Sequence, residues 1–276
     1  MKWFFKLSML SILAILFTGC IEMHTVITVK KDGSGLVEEN IFVGKEIIKM
    51  FTEFAAAFAD STQPPQEFNL FEEEKIKAKT SELGEGVEFV SVKTIKTDEK
   101  EGYTAIYKFK DINKVKVNQD PSDEMPMAEP AQDTDPAEKL VHFKFIKGSP
   151  NKIIFSLPDE KKKEVKAQEE TSQLNSETPA EPDTADFENM VKFMKNMKAK
   201  VELKIDGEIV NTNATHVDGN TVTLFDIDFG QLIADKDKLE QFKKFNPDSF
   251  EEVKKLVKDI PGIKVELNKE VFIEFE

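Results

Sequence analysis

Residues 22–43 read EMHTVITVK, then KDGSG, then LVEENIFV. Both flanks are rich in β-branched and apolar side chains, the composition of strands with a buried face. Lys31-Asp32-Gly33-Ser34-Gly35 between them gathers residues that tolerate positive φ and bond their own backbone, so the chain must turn back here. The stretch predicts an antiparallel hairpin, and that decides how the rest is read.

Going outward, Gly44 to Asp60 carries Ile47, Met50, Phe51, Phe54 and Phe58 at helical spacing, which predicts an amphipathic helix. Residues 67–82 predict a more charged helix. Strands follow near 87–97 and 102–110, broken at Glu99-Lys100-Glu101-Gly102. Val141, Phe143 and Phe145 alternate with polar residues, and Gly148-Ser149-Pro150-Asn151 turns the chain into a strand at 152–157. Phe187, Met190, Val191, Met194 and Met197 form another helical stripe, followed by alternation through Val201, Leu203 and Ile205. Asp206-Gly207 and Asp218-Gly219 read as hairpin turns leading into Thr221 to Phe229. In the tail, Phe245, Asn246, Pro247 and Phe250 predict a capped and stapled helix start, and Pro261-Gly262 predicts its end. Val265, Leu267, Val271, Ile273 and Phe275 predict one last strand, with Lys269 out of step.

Two segments read as disordered acidic linkers. Residues 118–139 hold four prolines and seven acids against one lysine, and residues 158–185 are equally poor in large apolar side chains. Neither buries enough surface to offset the entropy of ordering. The expected architecture is α+β: an antiparallel β-sheet with several amphipathic helices packed on it, interrupted by these two linkers.

The N-terminus carries a different kind of information. Residues 1–20 read MKWFFKLSMLSILAILFTGC: Lys2 and Lys6, an apolar run from Leu7 to Phe17, then small Thr18 and Gly19 before Cys20. Positive, apolar and small, in that order, is the layout of a secretory signal peptide, and the run is short for the ~20 residues a spanning helix needs. Cys20 is the single cysteine of the 276 residues. Its place directly behind Gly19 resembles the lipobox of bacterial lipoproteins, although Phe17 stands where Leu or Val is usual. That resemblance implies alkylation of the thiol with diacylglycerol, cleavage after residue 19 and acylation of the new N-terminus with a palmitate-type chain. Only a sulfur nucleophile does this chemistry near neutral pH. Two or three acyl chains then make a stable anchor, at about 0.8 kcal/mol per buried CH₂.

Composition narrows the partners. The net charge of −14 becomes −16 once Lys2 and Lys6 leave with residues 1–19. An acidic body without a single arginine argues against nucleic acid, anionic lipid and dedicated phosphate sites as electrostatic partners. Membrane attachment is therefore expected through the acyl chains on Cys20.

Three segments in order, TVITVKKDGSG at 25–35, GYTAIYKFKDI at 102–112 and IDGEIVNTNATHVDGNTVT at 205–223, resemble the LppM-type domain of bacterial envelope lipoproteins. The resemblance covers about residues 21–229. It implies a single sheet-and-helix unit joining the N- and C-terminal strand groups, with lipid or amphiphile binding, and it supplies no catalytic residues. The expected organisation is a signal peptide at 1–19, an LppM-like domain at 20–229 and a helical extension with a final strand at 230–276.

No constellation points to catalysis. His24, His142 and His216 are scattered and lack the spacing of a zinc site. Asp226 and Asp228 share one strand face, where carboxylates are solvated more often than they hold calcium. Ser149-Pro150-Asn151-Lys152 has SxxK spacing but lies in a turn, and Asn213-Ala214-Thr215 fits a glycosylation acceptor, which a signal peptide of bacterial type implies is unused. No cofactor, metal ligand or catalytic residue is assigned. The chain is read as a non-enzymatic, lipid-anchored envelope lipoprotein that binds a lipid or an envelope protein. A carrier or sensor of a hydrophobic ligand is the alternative, with Phe51, Phe54, Phe58, Met190 and Met194 lining its groove, and an unrecognised enzyme comes third. Ile21, not Asp, follows Cys20, which by the enterobacterial sorting rule favours the outer over the inner membrane, facing the periplasm or the surface.

Overall fold

A computed structural model describes residues 21–49, 52, 71–118, 140–157, 195, 197–234, 258 and 260–276. The hairpin is there: β1 (Ile21–Val29) pairs antiparallel with β2 (Gly35–Gly44), in register from Ile21 opposite Val43 to Val29 opposite Gly35. Its turn is held locally. Asp32 Oδ1 accepts the Ser34 backbone N–H at 2.9 Å, and Gly33 takes φ +83°. A Cβ on Gly33 would stand 2.7 Å from the Phe145 ring, so glycine is required for space as well as for φ.

Around the hairpin the chain builds β3 (Glu88–Lys96), β4 (Lys100–Phe109), β5 (Lys116–Asn118), β6 (Leu140–Ile146) and β7 (Asn151–Ser156). Then come β8 (Met197–Ile205), β9 (Ile209–Thr212), β10 (Val217–Asp218), β11 (Thr221–Asp228), β12 (Ile263–Val265) and β13 (Glu270–Phe275). They form two sheets. The larger has the order β10-β11-β8-β1-β2-β4-β3, with β12 also on β11; the smaller is β5-β6-β7-β13-β9. Among the described residues every pairing is antiparallel except β1 with β8. That parallel pair places an N-terminal and a C-terminal strand side by side in the larger sheet.

Both sheets contribute to one hydrophobic cluster. The larger supplies Ile27, Val29, Val37, Tyr107, Leu203 and Ile205; the smaller supplies Ile153, Phe155, Val271, Ile273 and Phe275, all fully buried. Aromatic pairs fill the smaller sheet's side, with Phe143 and Phe155 at 6.0 Å and Phe145 and Phe275 at 6.4 Å between ring centroids. Burial of each such side chain stabilises the fold by about 1.5–3 kcal/mol, so this cluster outweighs every surface ion pair.

Three expectations need correction. First, Asp206-Gly207 does not close a hairpin. β8 belongs to the larger sheet and β9 to the smaller, so the dipeptide carries the chain across. Asp206 N–H bonds Val29 O at 2.8 Å, Glu208 and Glu276 exchange two backbone bonds, and a Cβ on Gly207 would meet Glu276 O at 2.3 Å. Asp218-Gly219 is the true hairpin, between β10 and β11. Second, the single last strand is two strands in two sheets, β12 on β11 and β13 between β7 and β9. Lys269 is out of step because the chain changes sheets just before it. Third, helices are few among the described residues and short: Glu73–Ala78, Thr80–Leu83 and Phe229–Ala234, with residues 45–49 helical after β2. Met197, expected to end a helical stripe, instead begins β8 and is buried.

The remaining expected helices and both linkers fall outside the described residues, except that Asn118 ends β5. In the tail, residues 260–276 contribute Ile260, Val271, Ile273 and Phe275 to the buried set.

Candidate functional site

Ile21, the residue after Cys20, is already the first residue of β1. β1 is an interior strand: Ile21 lies opposite Val43 on β2 and opposite Met197 on β8, and all three are buried. The same end of the larger sheet carries the start of β4 at Lys100, which faces Gly44, and the end of β11 at Asp228, which faces Lys198. Asp228 N–H bonds Gly262 O at 2.7 Å, and Lys45 N–H bonds Glu99 O at 2.9 Å. These bonds tie the loops of this end to the strands. Cys20 itself lies outside the described residues.

From that end, the outer face of the larger sheet is laid out in rows by the strand registers. The first row runs Gly102, Phe42, Glu22, Lys198, Asp228, and the second Thr104, Asn40, His24, Lys200, Asp226. Alternation puts polar side chains outward at every one of these positions except Gly102 and Phe42. Lys198 meets Asp228 at 3.1 Å, and Lys200 meets Glu202 at 2.8 Å and Asp226 at 3.9 Å. His24 Nε2 lies 2.8 Å from Glu202 Oε2, and Lys100 meets Glu22 at 3.2 Å while lying 4.5 Å over the Phe42 ring. The second Glu22 oxygen is buried without a hydrogen-bond partner.

The charges set the carboxyl affinities. Partial burial pushes Glu202 up, but hydrogen bonds and charges from Lys200 and His24 outweigh it and hold the carboxyl below its ordinary range. Asp228 behaves alike: burial raises it, and Lys198 with the Gln231 N–H brings it below the ordinary value. On the smaller sheet's outer face, hydrogen bonds from Asn211 and then Lys152 lower Glu274. Lysine partners thus occupy Asp226 and Asp228, both partly buried. Among the described residues no group of three or more histidine, cysteine or acidic side chains is placed to hold a metal ion.

Two buried carboxylates escaped sequence reasoning. Glu39 points into the core between Val37 and Ile41 and is almost wholly buried. Lys79, from the linker between the two short helices, reaches it at 2.8 Å, and Tyr103 donates its hydroxyl to the other oxygen at 2.5 Å. Tyr107 donates to Ile76 O at 3.0 Å and Phe71 stacks edge-on with Tyr103, which seats the helical segment on β2 and β4. Glu266 is fully buried where the chain passes from β12 to β13. It accepts from Thr215 N–H at 2.8 Å, Thr215 O–H at 2.6 Å and Asn268 N–H at 2.8 Å. Glu39 is satisfied by partners distant in sequence, and Glu266 by the distant Thr215 together with the nearby Asn268 N–H; each ties elements together. The period-two alternation of β2 was the available signal for Glu39; nothing local signalled Glu266.

The other sequence motifs have structural roles. Asn213 is engaged with β13, its amide donating to Glu270 O at 3.0 Å and accepting Phe272 N–H at 2.8 Å. Ser149 and Pro150 form the turn between β6 and β7. Phe51, Phe54, Phe58, Met190 and Met194 lie outside the described residues. No helix among the described residues is long and apolar enough to cross a membrane.

No protein-family model matches this chain, and no curated protein matches it either. Among solved structures it is similar to the NMR structure of the folded domain of LppM from Mycobacterium tuberculosis. The alignment covers 79% of this chain and 88% of that one, at 9% identity and a TM-score of 0.29. A likeness at that score transfers no residue and no role.

Proposed function

We propose that this chain is a lipid-anchored protein of the bacterial cell envelope, tethered through Cys20, whose two-sheet body binds another envelope component and catalyses no reaction. One observation carries the reading. A signal-like run ends in Phe17-Thr18-Gly19-Cys20, and the next residue opens the folded body. A lone thiol at that boundary has one chemical use the sequence makes legible, thioether formation with diacylglycerol. A body at −16 is repelled by anionic headgroups, so acyl chains must supply the attachment. Ile21 after the anchor favours the outer membrane, where the host has one. The aromatic filling between the two sheets favours a binding surface over a ligand cavity in that layer.

Fractionation tests the tether. The unaltered protein should sediment with membranes and enter the detergent phase, and Cys20→Ala should move it to the soluble fraction. A Cys20→Ala protein still lodged in membranes would contradict the tether.

A further inference from the structure

Building on that tether, we infer that the β1-start end of the larger sheet is a membrane-facing surface, held against the lipid headgroups, and that the opposite end points away. Consecutive Cα atoms lie about 3.8 Å apart, so a lipid-bearing residue 20 stands one peptide unit from Ile21. No linker intervenes. A surface lipoprotein with a flexible leader can hang tens of ångströms from its anchor, but here the anchor continues directly into an interior strand. β1 is hydrogen-bonded along its whole length to β2 on one side and to β8 on the other. Lifting Ile21 away from the bilayer would therefore strip two ladders at once, including the buried Ile21, Val43 and Met197. The acyl chains fix residue 20 at the headgroup level, and the strand pairing fixes everything beside it.

The topology gathers several chain ends at this surface. Residues 45–49 continue from β2, residue 195 leads into β8, and the turn at 260–262 bonds the end of β11. The flanks of both apolar-striped stretches, the one bearing Phe51 and the one bearing Met194, thus lie at the lipid-facing end. The other end holds the Lys31–Gly35 turn, the Asp218-Gly219 hairpin and the crossing at Asp206–Glu208. Nine residues of β1 rise about 3.3 Å each, so these turns stand roughly 25–30 Å from the anchor. They are the part of the body presented to a partner in the aqueous compartment.

Site-specific fluorescence quenching tests the orientation. The sole tryptophan, Trp3, lies in the expected signal peptide, so the mature chain offers a dark background. Glu46→Trp and Lys195→Trp place reporters at exposed positions of the lipid-facing end, and Lys110→Trp places one at the far end, after β4. Each full-length protein is purified with its lipid and reconstituted into phosphatidylcholine vesicles with or without bromine on the acyl chains. Its intact mass is measured first, and circular dichroism confirms the fold. With acyl mass on the protein, bromine should cut the emission of the indoles at 46 and 195 and leave that at 110 unchanged. Absence of acyl mass would overturn the tether itself. An acylated protein whose 46 and 195 reporters keep their emission, or whose 110 reporter loses it, would overturn the orientation while leaving the tether standing.

Discussion

The two faces of the larger sheet hold the same kinds of ion pair and spend them differently. On the core face, Glu39 is closed in by Lys79 and Tyr103, with 4% of its side chain exposed. On the outer face, Lys198 and Asp228 meet at a similar distance, yet the lysine is half open to water. Distance alone does not rank them. A buried charge that loses its partner keeps its full desolvation cost, whereas an exposed one falls back on water. The core cluster should therefore act as a lock between the short helices and the sheet, and an outer pair whose lysine is open to water, such as Lys198 with Asp228, should contribute less.

The largest break in that comparison should come from Lys79→Met. It leaves Glu39 buried with one partner fewer and should cost about 3 kcal/mol in urea unfolding. The paired change Glu39→Leu with Lys79→Met should recover most of that loss, because no charge is then left in the core. A single variant as stable as the parent would show that the lock does not exist. Acid comes next in size. Glu202 and Asp228 have folded affinities for protons below their unfolded ones, so their contribution is present above the ordinary carboxyl range and fades as pH falls through the lowered folded values. Unfolding free energy measured in a pH series should decline on that side, and Lys200→Met should shallow the slope and move the Glu202 carboxyl upward in a carbon NMR titration. A slope unchanged by Lys200→Met would remove the lysine as its cause. The smallest effect is expected from Lys198→Met, within about 1 kcal/mol and shrinking with added salt. A larger, salt-insensitive loss would mean the outer face is structurally as important as the core.

What could be read from sequence follows the range of the forces involved. The β1–β2 hairpin was legible because Asp32, Gly33 and Gly35 encode the turn locally and the flanking strands encode their own propensity. The sheet assignment was not. Asp206-Gly207 has the chemistry of a turn whichever partner waits beyond it, and only Glu276, seventy residues on, decides that the chain changes layer. Val265 to Phe275 looked like one strand because alternation reports a buried side, not which sheet buries it; Lys269 marked the break without naming it. Glu39 sat at a core position by alternation, but the Lys79 that makes this tolerable lies on another element. Of the candidate site, the proposed anchor at Cys20 is read from a local pattern, the resemblance of residues 1–20 to a signal peptide ending in a lipobox. That β1 starts one residue later, and is interior, could be known only from the pairing of β1 with β8.

The most direct measurement is the mass of the N-terminal peptide of the mature protein taken from its own membranes. The account predicts a chain beginning at residue 20 that carries diacylglycerol on sulfur together with an N-linked acyl group or a free amine. A mature chain beginning elsewhere, or a residue 20 with an unmodified thiol, would contradict it.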